Sequence, residues 1–388
     1  MAPRSPRSSH ATHTMEQDSL SHAERVQCAV DTVRAALCHP SPEQSVRLGR
    51  IARDLRDVPP AVNSEGQLLA LTGVCRYFQE PDHDSAQALE AAVLLGKRAL
   101  ALGRPQERLS ALMTQALIHD ELDNHLEAVE AYGAARALAR DIGLVRAEVA
   151  SLVMAAQTMR HGGDPVGAEA LASHALVVAE NADDVDGLRA LAWITIAQWH
   201  LCVEEGAEGL TAVTNARQCL AGDADPGLCA TLDYTEVLLR LLAGSEEHLQ
   251  PLLDSLDRHA KLTRTVGAAL SYTAARGAVD LVQGASSASV RLVNALEKAR
   301  CVPRALADVL MAALVARVVV GDEERAGKLR EELCSLFEAR RGAGQLKATL
   351  MRGPVIGFGA LGKAFDTGTY ERRLAHAQEL LLAGRTAS

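Results

Sequence analysis

Aromatic side chains make up only 3% of this 388-residue chain, although apolar residues reach 48%. A core so short of rings has to be built from Ala, Leu and Val. That suits closely packed helices and argues against a sheet rich in aromatic and β-branched residues. No run approaches the roughly 18 uninterrupted apolar residues of a membrane helix, so no membrane partner is expected. The eight cysteines (Cys28, Cys38, Cys75, Cys202, Cys219, Cys229, Cys301 and Cys334) are never closer than ten residues. Without a C-x-x-C knuckle no metal site is expected, and most of these thiols fall among apolar neighbours as small buried hydrophobes. Reduced thiols point to the cytoplasm. Charged residues are 23% of the chain with a net charge of −9, which argues against non-specific nucleic-acid binding.

Catalytic signatures are equally scarce. There is no G-x-S-x-G elbow, no G-x-x-x-x-G-K-[ST] loop and no kinase set, so no catalytic residue and no cofactor are assigned. Gly357, Gly359 and Gly362 spell G-x-G-x-x-G, but only Val355-Ile356 precede them where a full strand is required, so packing glycines are the better reading. His119 and His125 flank Asp120, Glu121 and Asp123 across a predicted turn with no H-E-x-x-H pair, and are read as solvated turn residues. His119 and His200 occupy equivalent places near a helix end, which suggests a structural role. Trp193 and Trp199 share a helix but not one face. The first fourteen residues carry Arg, Ser and His but no acid and no apolar segment, which argues against a secretory signal.

What the chain does have is a period. Leu48, Ala88, Ala128, Ala168, Gly209, Leu249, Ser289 and Ala326 follow at intervals of 40, 40, 40, 41, 40, 40 and 37. Seven residues later runs a second series of Ala and Leu only: Leu55, Leu95, Ala135, Ala175, Ala216, Leu256, Leu296 and Leu333. Self-similarity at this length means stacked supersecondary units. Each unit reads as a helical hairpin. Leu109, Leu112, Met113, Ala116 and Leu117 recur at helical spacing, Asp123-Asn124 break the helix, and Leu126, Ala128, Val129, Tyr132, Ala135 and Leu138 begin the next. Later turns are predicted at Gly162-Gly163-Asp164-Pro165, Glu205-Gly206, Gly244-Ser245, Gly284-Ala285 and Gly321-Asp322.

Small residues set how closely two helix axes approach. A matching series on the first helices comprises Ala36, Ala116, Ala156, Ala197 and Gly277. It misses at Arg76, Val237 and Leu314, and Gly73 serves the second unit if the turn there is three residues longer. The expectation is an all-α helical-hairpin repeat solenoid. It divides into a disordered tail over 1–22 (or a chain that really starts at Met15), about eight hairpins over 23–340, and a degenerate capping hairpin over 341–388 with Leu374, Ala377, Leu380 and Leu381 on its last helix.

Ala116, Ala128, Tyr132 and Ala135, and again Ala156, Gly163, Asp164, Ala168 and Ala175, give this layout its family likeness. It resembles the tetratricopeptide repeat family over roughly residues 25–340. Most aromatic consensus positions of the family are absent, and the 40-residue period exceeds its usual length of about 34. The longer unit is similar to that of kinesin light chains and of bacterial maltose-activator-type regulators.

The resemblance implies a TPR-like superhelix whose first helices line a concave wall, here with Met113, Leu117, Val153, Met154, Gln157, Ile194, Gln198 and Tyr234 along it. Positions that clamp a terminal carboxylate in some relatives are not basic here, so no such clamp is expected. An apolar groove with scattered amides fits an amphipathic helix or an extended peptide. The alternative for the same residues is internal packing of a tighter coil. The function expected is a non-catalytic protein- or peptide-binding scaffold with a regulatory or signalling role. The rival is a ligand- or peptide-sensing regulator that controls a transcription factor or enzyme partner. Self-association is left open.

Overall fold

A computed structural model describes residues 20–38, 42–78, 85–220, 224–245 and 247–340. The G-x-G-x-x-G segment, the capping hairpin over 341–388 and nearly all of the N-terminal tail lie outside these residues. The fold is an all-α helical-repeat solenoid, and among the described residues it contains sixteen helices and no strand. In chain order they are α1 (His22–Cys38), α2 (Pro42–Leu55), α3 (Ser64–Phe78), α4 (Ser85–Ala101), α5 (Pro105–Glu121), α6 (His125–Asp141), α7 (Val145–His161) and α8 (Pro165–Ala179). There follow α9 (Asp186–Cys202), α10 (Gly206–Cys219), α11 (Pro226–Leu242), α12 (Leu249–Thr263), α13 (Val266–Val282), α14 (Ala288–Ala299), α15 (Pro303–Val319) and α16 (Glu323–Arg340). The chain forms two compact units that divide within α6, after Leu138.

One turn design recurs through the array. A residue in the left-handed region closes the first helix of six successive hairpins: Asp123, Gly163, Glu204, Gly244, Gly284 and Gly321. Their spacing of 40, 41, 40, 40 and 37 is the period of the small-residue series. At each turn the next amide reaches back to a carbonyl five residues earlier. Examples are Asn124 to His119 at 2.8 Å, Glu205 to His200 at 2.9 Å and Ala285 to Asp280 at 2.8 Å. This is the helix-ending bond pattern that a left-handed residue permits. His119 and His200 therefore share a structural place, each supplying the carbonyl that closes its turn. Several helices start cleanly. Pro105, Pro165, Pro226 and Pro303 occupy first-turn positions, where a missing N–H costs nothing. Asp164 and Asp225 accept the Gly167 and Leu228 amides at 2.9 Å each.

The periodic residues are the core. Leu48, Ala88, Ala128, Ala168, Leu249 and Ala326 are buried, as are Leu55, Leu95, Ala135, Ala175, Ala216, Leu256 and Leu333. The series slips once. In α14 the buried positions are Ala288 and Ala295, while Ser289 and Leu296 are only half-buried, so the spacing at that hairpin is one residue shorter than read. In the first unit Gly73, not Arg76, is the small contact residue. A Cβ there would lie 2.2 Å from Val33, and six residues join α3 to α4 where three join α5 to α6.

In the first unit α1 packs on α3 and α3 on α5, with α2 against α4 behind them. Arg98, from α4, closes the end of α2 by donating to the Leu55 and Arg56 carbonyls at 2.9 Å each. In the second unit α7, α9, α11, α13 and α15 pack in sequence to make an inner layer. The helices α8, α10, α12, α14 and α16 form the outer layer, each held by its neighbours in the chain.

Candidate functional site

The residues expected along a concave wall fall on two parallel rows of the first helices. Met113, Val153, Ile194 and Tyr234 repeat at 40, 41 and 40, and Leu117, Gln157 and Gln198 repeat four residues further on. In the first unit Met113 and Leu117 are half-buried on α5. In the second unit the expectation of an open wall fails. Val153 and Ile194 are 0% exposed, Tyr234 3% and Gln198 6%. Gln157 is half-buried, and its amide donates to the Thr195 hydroxyl at 2.5 Å. The physical reason is curvature. Inner helices this rich in Ala and Val approach closely enough to bury the row between them, the tighter coil that was the alternative reading.

Long-range bonds fasten this interior. Arg160, at the end of α7, donates from Nη1 to Asp308 Oδ1 on α15 at 3.0 Å, and the Tyr234 hydroxyl donates to the Asp308 carbonyl. Burial raises the Tyr234 hydroxyl pKa well above its usual range, and the Asp308 carboxylate adds to the rise. On α16, Arg330 donates to Glu204 through Nε at 3.0 Å and Nη2 at 3.3 Å, a two-pronged bond at the α9–α10 turn. Phe337, two turns further on, is 5% exposed and lies against the α7–α8 turn, where a Cβ on Gly163 would stand 2.6 Å from the Phe337 carbonyl oxygen.

The Arg160, Tyr234 and Asp308 bonds border a small cavity of about 30 Å³. Arg160, Gln198, Cys202, Tyr234, Asp308 and Phe337 are among the residues lining it. It holds no more than about one water. Gln198 Oε1 is buried there without a hydrogen-bond partner, and an unsatisfied buried acceptor costs about 1–3 kcal/mol. Burial drives the Cys202 thiol pKa up to about 12, so it presents no thiolate nucleophile at neutral pH.

A second polar cluster went unread in the sequence. Asp233 and Glu236 on α11 are 1% and 5% exposed. Arg217 joins them, at 2.7 Å to Asp233 and 2.6 Å to Glu236, while Arg240 reaches Glu236 at 2.9 Å. His259 Nδ1 lies 2.9 Å from Asp233 and 3.5 Å from Ser255 Oγ. Serine, histidine and aspartate thus meet, but on the same ring nitrogen. A proton relay needs the acid and the hydroxyl on opposite nitrogens, so the cluster is an ionic clamp across α10, α11 and α12. The D-x-x-E spacing on an otherwise apolar helix was its only sequence signal. A recess of about 410 Å³ beside it is lined by Leu210, Val213 and Gln218 among others.

The histidine pair corrects another expectation. His125 and Asp120 are 7% and 8% exposed, not solvated, and pair through Nδ1 at 3.3 Å. No group of three or more metal-ligating side chains occurs among the described residues. Trp193 and Trp199 are both half-buried. Cys75 and Cys202 are buried, whereas Cys28 and Cys301 are exposed. No helix among the described residues is long and apolar enough to cross a membrane.

No family model matches this chain, and no curated protein matches it either.

Proposed function

We propose that the chain is a non-catalytic recognition module that binds a protein or peptide partner, serving a regulatory assembly in the cytoplasm. The observation that carries this reading is the repeated turn from Asp123 to Gly321, which makes successive hairpins equivalent. Arrays of equivalent hairpins expose long surfaces assembled from corresponding residues, and recognition is what such surfaces do best. The likeness to long-unit tetratricopeptide repeats supports it by analogy alone. Binding would proceed through side-chain anchors on a preformed helical surface. The half-buried Met113 and Leu117 on α5 supply apolar anchors of that kind.

The test is co-purification with mass spectrometry, comparing the native chain with a Met113→Glu, Leu117→Glu variant. Loss of a partner by a variant of native helicity supports the reading. Unchanged recovery removes that surface from it.

A further inference from the structure

Arg330 and Phe337 bring one short stretch of α16 against the end of α9. Arg330 pairs with Glu204, two positions beyond Cys202, the last residue of that helix. Phe337 lines the same small cavity as Cys202. Between the two contacts stands Cys334, four residues after Arg330 and three before Phe337. Helical spacing places all three on one face. Cys334 is half-buried there, and Cys202 is buried. Burial raises the Cys202 pKa, Asp308 and Cys334 add to the rise, and Arg160 opposes it. Of the thiols on Cys75, Cys202, Cys219 and Cys229, that of Cys202 alone responds to another cysteine.

We propose that Cys202 and Cys334 are a disulfide-forming pair, oxidised by a small-molecule disulfide, whose bond ties α16 covalently to α9. Cys334, the more accessible thiol, reacts first, as its thiolate. It attacks one sulfur of the incoming disulfide, whose S–S bond breaks and whose other half leaves as a thiolate. Cys202 then gives up its proton, and its sulfur attacks that of Cys334 and expels the second small thiolate. Two electrons pass from the protein to the small disulfide. The protons released by the two cysteines are taken up by the two departing thiolates. The second step is the slow one, because Cys202 is a weak acid in its buried place. In a compartment rich in reduced glutathione the pair is held as thiols, so the bond records a rise in the disulfide fraction. This inference stands apart from the recognition reading above.

The experiment incubates the purified native chain with glutathione disulfide, without denaturant, and then blocks the remaining thiols. The monomer band of a non-reducing gel is digested and its peptides are weighed by mass spectrometry. A peptide joining Cys202 to Cys334 is expected from the native chain. It should be lost after treatment with dithiothreitol and absent from a Cys334→Ser variant. Glutathione adducts on the exposed Cys28 and Cys301 with no joined peptide overturn the proposal. A Cys334 adduct that persists without resolving onto Cys202 overturns it as well. So does a joined peptide that forms only in urea, because a bridge needs Cα atoms within about 7 Å and the folded chain would then hold them further apart.

Discussion

Arg160 and Asp308 are 148 positions apart in the chain and 3.0 Å apart in space. Five hairpins therefore bring their inner helices round until α15 meets the end of α7. The guanidinium is 16% exposed and the carboxylate 26%, so the pair is partly shielded from solvent. Removing one partner of a fully buried pair costs about 3–5 kcal/mol, and solvent screening lowers that here.

Arg160→Met is accordingly expected to lower stability by about 2 kcal/mol in urea unfolding. Adding Asp308→Asn should recover part of the loss, with a coupling of about 1 kcal/mol or more in the double-mutant cycle. Strict additivity of the two substitutions would show that the pair does not fasten the interior.

The contrast between corresponding positions gives a second expectation. Ile194 is 0% exposed, whereas Met113 in the same row is half-buried. Ile194→Ala should destabilise by about 3–4 kcal/mol, and Met113→Ala by roughly 1 kcal/mol. Similar small losses at both would mean that the row in the second unit is open to solvent.

The repeat itself was plain in the sequence because it rests on local chemistry. Small residues at helix contacts, glycines at turns and prolines in first turns act within one hairpin, and each is readable where it stands. Asp123 and Glu204 escaped notice as left-handed residues because neither is glycine. The slip at α14 escaped because Ala288 and Ala295 adjoin the expected Ser289 and Leu296 and either register fits a helix. What the sequence could not show is coil tightness. Whether Val153, Ile194 and Gln198 line a groove or lie within a core depends on how far each hairpin rotates against the next, a sum of many small packing choices. The bonds that reveal the answer, Arg160 to Asp308 and Arg330 to Glu204, join residues 148 and 126 positions apart.

Two turn glycines separate backbone strain from close approach. Gly163 at φ +81° has the Phe337 backbone against it, while Gly284 at φ +77° has open space around its Cα. Substitution by alanine costs about 1 kcal/mol at either from the left-handed conformation. Gly163→Ala must also displace α16 and is expected to cost a further 1–3 kcal/mol or so. Equal losses in thermal unfolding would place α16 away from that turn in solution.

Buried thiols make stability depend on alkaline pH. Burial raises Cys75 and Cys202 from an ordinary 9.0 to about 12 in the folded chain. The folded state therefore keeps its thiol protons where the unfolded chain has released them. Their contribution is complete below pH 9 and is lost as pH rises from 9 towards 12, by about 1.4 kcal/mol per pH unit for each thiol. Other groups titrate in this range, Tyr234 among them, so the informative quantity is a difference between two chains. In a Cys75→Ala, Cys202→Ala variant the loss of two sulfurs is a constant, pH-independent penalty, and Tyr234 still titrates, its pKa raised chiefly by burial and Asp308, with Cys202 a lesser contributor. Native stability minus variant stability, from urea unfolding at several pH values, should be flat from pH 7 to about 9 and then fall. A difference that stays flat to pH 11 would mean that water reaches both thiols in the folded state, Cys75 on α3 in the first unit and Cys202 at the end of α9 in the second.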